Sequence, residues 1–188
     1  DLHCARLIQS ALAMGLAPTH SAGEIEDLCR EAVRRLPPEI DLYIRPAFYA
    51  EEGFINPDPD STRFVLAVYE TPLKGFNGFG ACISTRRRPA RDMAPTDAKA
   101  SCLYPNSARA LREAEDRGFD NAVILDPNGN VAEFATANLW IAQDGVVHTP
   151  VENGTFLAGI TRRRIMALLR EAGEEVVERA LGVGDVLA

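Results

Sequence analysis

"AVILDPNGNVAEFATANLWIAQDGVVHTP", residues 122–150, reads as four short strands at 122–126, 131–134, 138–143 and 146–150. The runs between them, "DPNGN" (126–130) and "QDG" (143–145), carry the glycine and small polar residues that close hairpins. Helices flank this stretch on both sides. Downstream, "TRRRIMALLREAG" (161–173) has helical periodicity and stops at Gly173, and "EEVVERAL" (174–181) follows as a strand. Upstream, a helix from about Asn106 to Arg117 stops at Gly118, and "GACIST" (80–85) precedes it as a strand. Hairpins combined with strand–helix–strand units define an α+β fold.

The first part of the chain has the same mixture. Residues 1–16 read as a helix already under way, with no turn or cap before it, so the natural start is expected to be missing. "SAGEIEDLCREAVRRL" (21–36) opens with a capping box, Ser21 with Glu24, and places Ile25, Leu28, Cys29, Ala32 and Leu36 at helical spacing. Residues 41–50 and 63–69 read as strands. The turn-rich "ETPLKGFNGFG" (70–80) reads as a linker. The expected organisation is a smaller domain over 1–69, an interdomain loop over 70–79 and a larger domain over 80–188.

Composition narrows the possible functions. With 188 residues, 46% of them hydrophobic, the chain has enough apolar side chains for a real core. A net charge of −7 argues against nucleic acid or an anionic membrane as the main partner. "TRRRPAR" (85–91) and "TRRRI" (161–165) are locally basic, and are expected as solvated faces or small-anion sites. Four cysteines without a C-x-x-C spacing and three scattered histidines suggest neither a metal site nor a disulfide framework. No apolar run approaches the ~18 residues of a membrane span and no signal peptide opens the chain, so a cytoplasmic location is the expectation.

Several residues stand out chemically. Only two of the twenty lysines and arginines are lysines. A desolvated lysine can lose its proton and become a nucleophilic amine, which arginine cannot. Lys74 sits in the turn-rich linker and reads as an ordinary solvated lysine. Lys99, in "PTDAKASCLYP" (95–105), has the small neighbours Ala98, Ala100 and Ser101, a setting compatible with burial. It is the candidate reagent, with a plain surface lysine as the alternative. Glu133 lies in a strand between Ala132 and Phe134, where a buried carboxylate needs a cationic partner; an edge-strand glutamate exposed to water is the alternative. Gly159, Ile160 and Thr161 precede a helix, whose free N–H groups and dipole make an anion site, and Arg162–Arg164 in the first turn oppose that dipole unless an anion is present. Gly159 could equally serve only to start the helix. Tyr43 and Arg45, two apart on a strand, leave the same face and could hold a carboxylate.

"HCARL", "YIRP", "AKASCLY", "AEFATANLW" and "GITR", in this order and spacing, resemble the class IV pyridoxal-phosphate aminotransferases, and within them the branched-chain amino acid aminotransferases. The resemblance implies a two-domain fold-type-IV enzyme, like aminodeoxychorismate lyase and D-amino acid aminotransferase, with both chain ends missing. It implies pyridoxal 5'-phosphate as cofactor, amino acids and 2-oxo acids as substrates, and a homodimer or higher homo-oligomer. Lys99 then matches the lysine that holds the cofactor covalently and moves the substrate proton. Tyr104 matches the tyrosine on the cofactor's phenolic oxygen, and Glu133 the carboxylate on its ring nitrogen. Arg6, Ile160 and Thr161 match the phosphate-binding positions. Tyr43 matches the residue that seats the α-carboxylate, and Arg45 the one that receives the glutamate side chain. "YIRP" favours an L-amino acid enzyme. The reaction implied is transfer of an amino group between leucine, isoleucine or valine and 2-oxoglutarate. A lyase of the same fold and a non-catalytic arginine-rich binding module are the alternatives.

Overall fold

The computed structural model describes residues 1–73, 75 and 77–187. The backbone forms two compact units, Asp1–Asn77 and Gly78–Ala188, so the division falls inside the turn-rich segment. Lys74, read above as a solvated lysine, lies outside the described residues.

In the first unit, α1 (Leu2–Ala13) does have a cap, contrary to expectation: the Asp1 side chain accepts from the His3 backbone N–H at 2.8 Å. The helix ends before residue 16 because Gly15 turns into the left-handed region, with φ at +74°. In α2 (Ala22–Arg34) the capping box forms as the sequence indicates. Glu24 N–H donates to Ser21 Oγ at 3.3 Å, and Ser21 N–H donates to the Glu24 carboxylate at 2.7 Å. Ile25 on this helix is fully buried. β1 (Leu42–Ala50) and β2 (Thr62–Glu70) pair as an antiparallel hairpin, with Tyr43 opposite Tyr69 and Arg45 opposite Ala67.

The second unit begins with β3 (Ala81–Arg87), α3 (Tyr104–Asp116), β4 (Asn121–Leu125) and β5 (Val131–Phe134). β3 and β4 are parallel, joined through α3, and β4 and β5 form a hairpin. Ala122 and Ile124 pack on Ala110 and Ala114 of α3, whereas Val123 and Leu125 face the other way onto Leu139 and Leu181. Both faces are covered, which is why "AVIL" is apolar throughout and does not alternate. A second sheet follows, made of β6 (Ile141–Gln143), β7 (Val146–Pro150) and β8 (Glu175–Arg179). Here β6 and β7 are antiparallel, while β7 and β8 are parallel through α4 (Ile160–Glu171). The short helix α5 (Val183–Leu187) comes last.

Several boundaries differ from the sequence reading, three of them by enough to matter. The strand expected over 138–143 is confined to β6, because the chain turns at 135–137 with Phe134 N–H bonded to the Ala137 carbonyl at 2.9 Å. This leaves Asn138 outside any ladder. α3 starts at Tyr104 instead of Asn106, with Pro105 pre-setting its first turn. The last strand ends at Arg179, short of the expected 181, and α5 begins at Val183.

Candidate active site

Glu133 lies directly opposite Ile124 in the β4–β5 register. Cross-strand partners share a face, so its side chain is on the side that α3 covers. It is 8% exposed. Burial pushes its carboxyl above the ordinary glutamate range, against the opposing pull of the Arg88 guanidinium and the Lys99 ammonium. Two donors hold the carboxylate. Arg88 Nη2 forms an ion pair with Oε1, and Asn138 Nδ2 donates to Oε2 at 3.4 Å. Arg88 also reaches Ser107 Oγ on α3 at 3.4 Å, and its buried Nε has no hydrogen-bond partner among the described residues. The cationic partner that the sequence demanded for Glu133 is thus present within the protein itself.

Lys99 follows directly in this cluster. Ala98 and Ala100 on either side of it are buried, but Lys99 itself is exposed, so the small neighbours do not bury it as expected. Its Nζ is 5.9 Å from the centre of the Tyr104 ring, within range of a cation–π attraction. Tyr104 is half-exposed at the start of α3.

The N-terminus of α4 completes the arrangement. Its N-cap Gly159 makes no side-chain cap bond, and its first turn contains no acidic residue. The N–H groups of Ile160 and Thr161 therefore lack intrahelical acceptors, as at any helix start. Ile160 is buried and Thr161 exposed. Gly159 has φ −66° and ψ 126°, which any residue can adopt, so conformation does not require glycine there. Space does, because a Cβ at position 159 would stand 2.7 Å from Asn138 Oδ1. The glycine serves a close approach, not merely a helix start.

The two basic runs are not simply solvated. Each sends an arginine into a buried ion pair, Arg88 as described and Arg162 at 1% exposure. Arg162 ion-pairs with Glu152 at 3.0 Å and Glu178 at 2.8 Å, and donates to the Pro150 carbonyl at 2.8 Å. These acceptors pair the Arg162 charge within the protein.

Lys99, Tyr104, Glu133, Ile160 and Thr161 all belong to the second unit. Arg6, Tyr43 and Arg45 belong to the first. Arg6 is half-buried on α1, with Nη2 3.5 Å from His3 Nδ1. Tyr43 and Arg45 are exposed on one face of β1, and Tyr43 stacks on Tyr69 with ring centres 5.3 Å apart. Arg88 and Asn138 escaped the sequence reading. The one available signal was that a buried Glu133 requires donors. Among the described residues no group of three or more His, Cys, Asp or Glu is arranged to hold a metal ion, and no helix is long and apolar enough to cross a membrane.

Comparison with known proteins places the chain in a family. The "Amino-transferase class IV" family model matches residues 1–188. A branched-chain-amino-acid aminotransferase of Pseudomonas aeruginosa is 36% identical over 188 residues, which cover 95% of this chain and 60% of that protein. A probable branched-chain-amino-acid aminotransferase of Rickettsia bellii is 32% identical, with 95% of this chain and 62% of that protein covered. The chain therefore spans about three fifths of these relatives' length. Among solved structures, an aminotransferase from Brucella abortus bound to the cofactor PLP is 48% identical, with a TM-score of 0.97, covering all of this chain and 68% of that one. The branched-chain aminotransferase of Escherichia coli is 32% identical, with a TM-score of 0.88 over 97% of this chain and 62% of that one. With the family model matched along its whole length, the chain belongs to the class IV aminotransferases.

Proposed function

We propose that the protein is a pyridoxal-phosphate-dependent transaminase moving an amino group between a branched-chain L-amino acid and 2-oxoglutarate. The observation that carries this reading is one cluster in the second unit. It combines a lysine amine, a buried carboxylate held by two donors, and a helix N-terminus without a side-chain cap or acidic first turn.

Pyridoxal phosphate fits that donor set. Glu133 is an anion in a largely dry setting, suited to a protonated ring nitrogen. Lys99 supplies an amine for the aldehyde carbon. The free N–H groups of Ile160 and Thr161 are suited to a phosphate, with Arg6 as a further cation. The hydroxyl of Tyr104, whose ring lies near Lys99 Nζ, suits the ring oxygen. When bound, the cofactor acts as an electron sink that makes the substrate Cα proton acidic. In this scheme Lys99 Nζ holds the cofactor and then carries that proton. Arg88 keeps Glu133 ionised, so that the carboxylate can keep the ring nitrogen protonated. Tyr43 orients the α-carboxylate, and Arg45 receives the side-chain carboxylate of glutamate.

The relatives named as branched-chain aminotransferases support the choice of substrate class. Homodimer formation is part of the same reading. It is supported by Phe54 and Ile55 in the β1–β2 loop, which are 100% and 85% exposed and offer apolar surface to bury.

The test uses the full-length protein. Addition of pyridoxal phosphate should give a yellow complex, and borohydride should fix a pyridoxyl group on Lys99, located by mass spectrometry. Leucine with 2-oxoglutarate should then yield glutamate. A complex that releases product from its amino substrate without forming glutamate would indicate the lyase instead, and no complex at all would refute the reading.

A further inference from the structure

Asn138 joins two parts of the site. Its Nδ2 donates to Glu133 Oε2 at 3.4 Å. Its other amide atom, Oδ1, lies against the backbone of Gly159, so closely that a Cβ there would be 2.7 Å away. Contacts that short essentially never occur, and one side or the other would have to move.

The backbone beside Asn138 is fixed to the same helix by a separate route. Thr149 Oγ1 donates to the Leu139 carbonyl at 2.9 Å and accepts from Arg162 Nε at 3.3 Å. Leu139, Thr149 and Arg162 are all buried. Asn138 is therefore braced on α4 twice, by its side chain at the N-cap and by its neighbouring carbonyl through Thr149. Residues 138–140, which the sequence places in a strand, stand outside β6, and this frees the Asn138 side chain for its bridging position.

We propose that Asn138 is a positioning residue for the transaminase site: its amide locks the Glu133 carboxylate to the first turn of α4, and Gly159 is glycine because that amide occupies the space of a side chain. The consequence is a fixed spacing between the anion for the ring nitrogen and the N–H groups for the phosphate. Arg88 fixes Oε1 but touches α3, so it cannot set that spacing. This inference rests on the proposed cofactor, whose binding is tested separately by the borohydride experiment.

A double-mutant cycle in the full-length protein tests it, with the dissociation constant of pyridoxal phosphate as readout. Gly159→Ala should weaken cofactor binding at least about tenfold, comparable to losing a hydrogen bond to a charged group. Asn138→Ala should weaken it similarly, whereas Gly159→Ala added to Asn138→Ala should cost less than about threefold, because the obstructing amide is gone and only the milder 3.2 Å approach to Arg162 Cβ remains. Asn138→Asp keeps the volume but turns the donor into an anion facing Glu133. With ¹⁵N-labelled cofactor, the ring-nitrogen resonance should move toward the unprotonated position in that variant. A purely structural residue would lower stability without moving that signal. Equal losses from Gly159→Ala in both backgrounds, or an unmoved ring-nitrogen signal in Asn138→Asp, would overturn the role of Asn138 while wild-type cofactor binding stood. Failure of the wild type to bind pyridoxal phosphate would overturn both readings together.

Discussion

Arg88→Leu is the sharpest perturbation of the site. The side chains of Arg88 and Glu133 are only 12% and 11% exposed, so removing the guanidinium leaves a largely desolvated carboxylate without its cation. Breaking a buried ion pair from one side costs about 3 to 5 kcal/mol while the surviving charge remains ionised. That cost depends on pH. In the wild type, burial already holds the Glu133 carboxyl above its ordinary range. A group with a raised folded pKa contributes stability that is fully present below its unfolded pKa and is lost as pH rises through the folded value. Without Arg88 the folded pKa rises further, so the variant goes on losing stability over a pH interval where the wild type has stopped. At ~1.4 kcal/mol per pH unit, a gap of 3 to 5 kcal/mol corresponds to a window wider by roughly two to three and a half units. Urea unfolding of both proteins from pH 5 to pH 8.5 measures this directly. The difference should be small at the acid end and should approach its full size at the alkaline end. A difference of constant size across the range would show that Arg88 contributes packing and not charge, and a difference below about 1 kcal/mol at pH 8 would refute the dependence of Glu133 on Arg88 altogether.

Lys99→Ala should abolish glutamate formation and borohydride labelling while leaving measurable pyridoxal phosphate binding, since the helix N-terminus does not depend on Lys99; near-native turnover would end the proposal. Arg45→Ala should lower kcat/KM for glutamate and 2-oxoglutarate by roughly 1.5 to 3 kcal/mol and leave leucine nearly unchanged, as expected for a bond to a charged group that only one substrate has. Equal losses for both substrates in single-turnover measurements would make Arg45 structural. Arg162→Met strips Glu152, Glu178 and Thr149 of a buried donor and should cost about 3 kcal/mol or more in urea unfolding. A loss under 1 kcal/mol would mean that the half-exposed glutamates simply turn to water.

Local signals account for the parts of the fold that the sequence specifies well. The Ser21–Glu24 box spans four residues, and both of its bonds form. The turn "DPNGN" closes the β4–β5 hairpin: Gly129 takes φ +89°, and Asp126 N–H donates to the Asn130 carbonyl at 2.7 Å. The errors lie where a side chain's partner is remote in sequence. "NLWIAQ" has strand propensity along its whole length, yet Asn138 is drawn off the ladder, with its amide set between Glu133 and Gly159. Propensity describes a pleated, half-buried surface and is silent about such a bridge.

The arginines show the same limit more sharply. A run of three arginines reads as solvated because neighbouring like charges repel and each carries a long, costly-to-order side chain. On a strand, however, successive side chains leave opposite faces, so a run of three cannot share one environment. Arg87, the last residue of β3, is exposed while Arg88, the next residue, points to the covered face, where it meets a carboxylate 45 positions away in the chain. In α4 the helical turn separates Arg162 from Arg163 and Arg164 in the same manner, with Arg162 buried on glutamates 10 and 16 positions away while the other two remain exposed. Glu133 could be recognised from the sequence as a carboxylate in need of a cation. Which of eighteen arginines would supply it depended on the fold, because the choice is made by β3 and β5 flanking β4 in one sheet with α3 packed over that face.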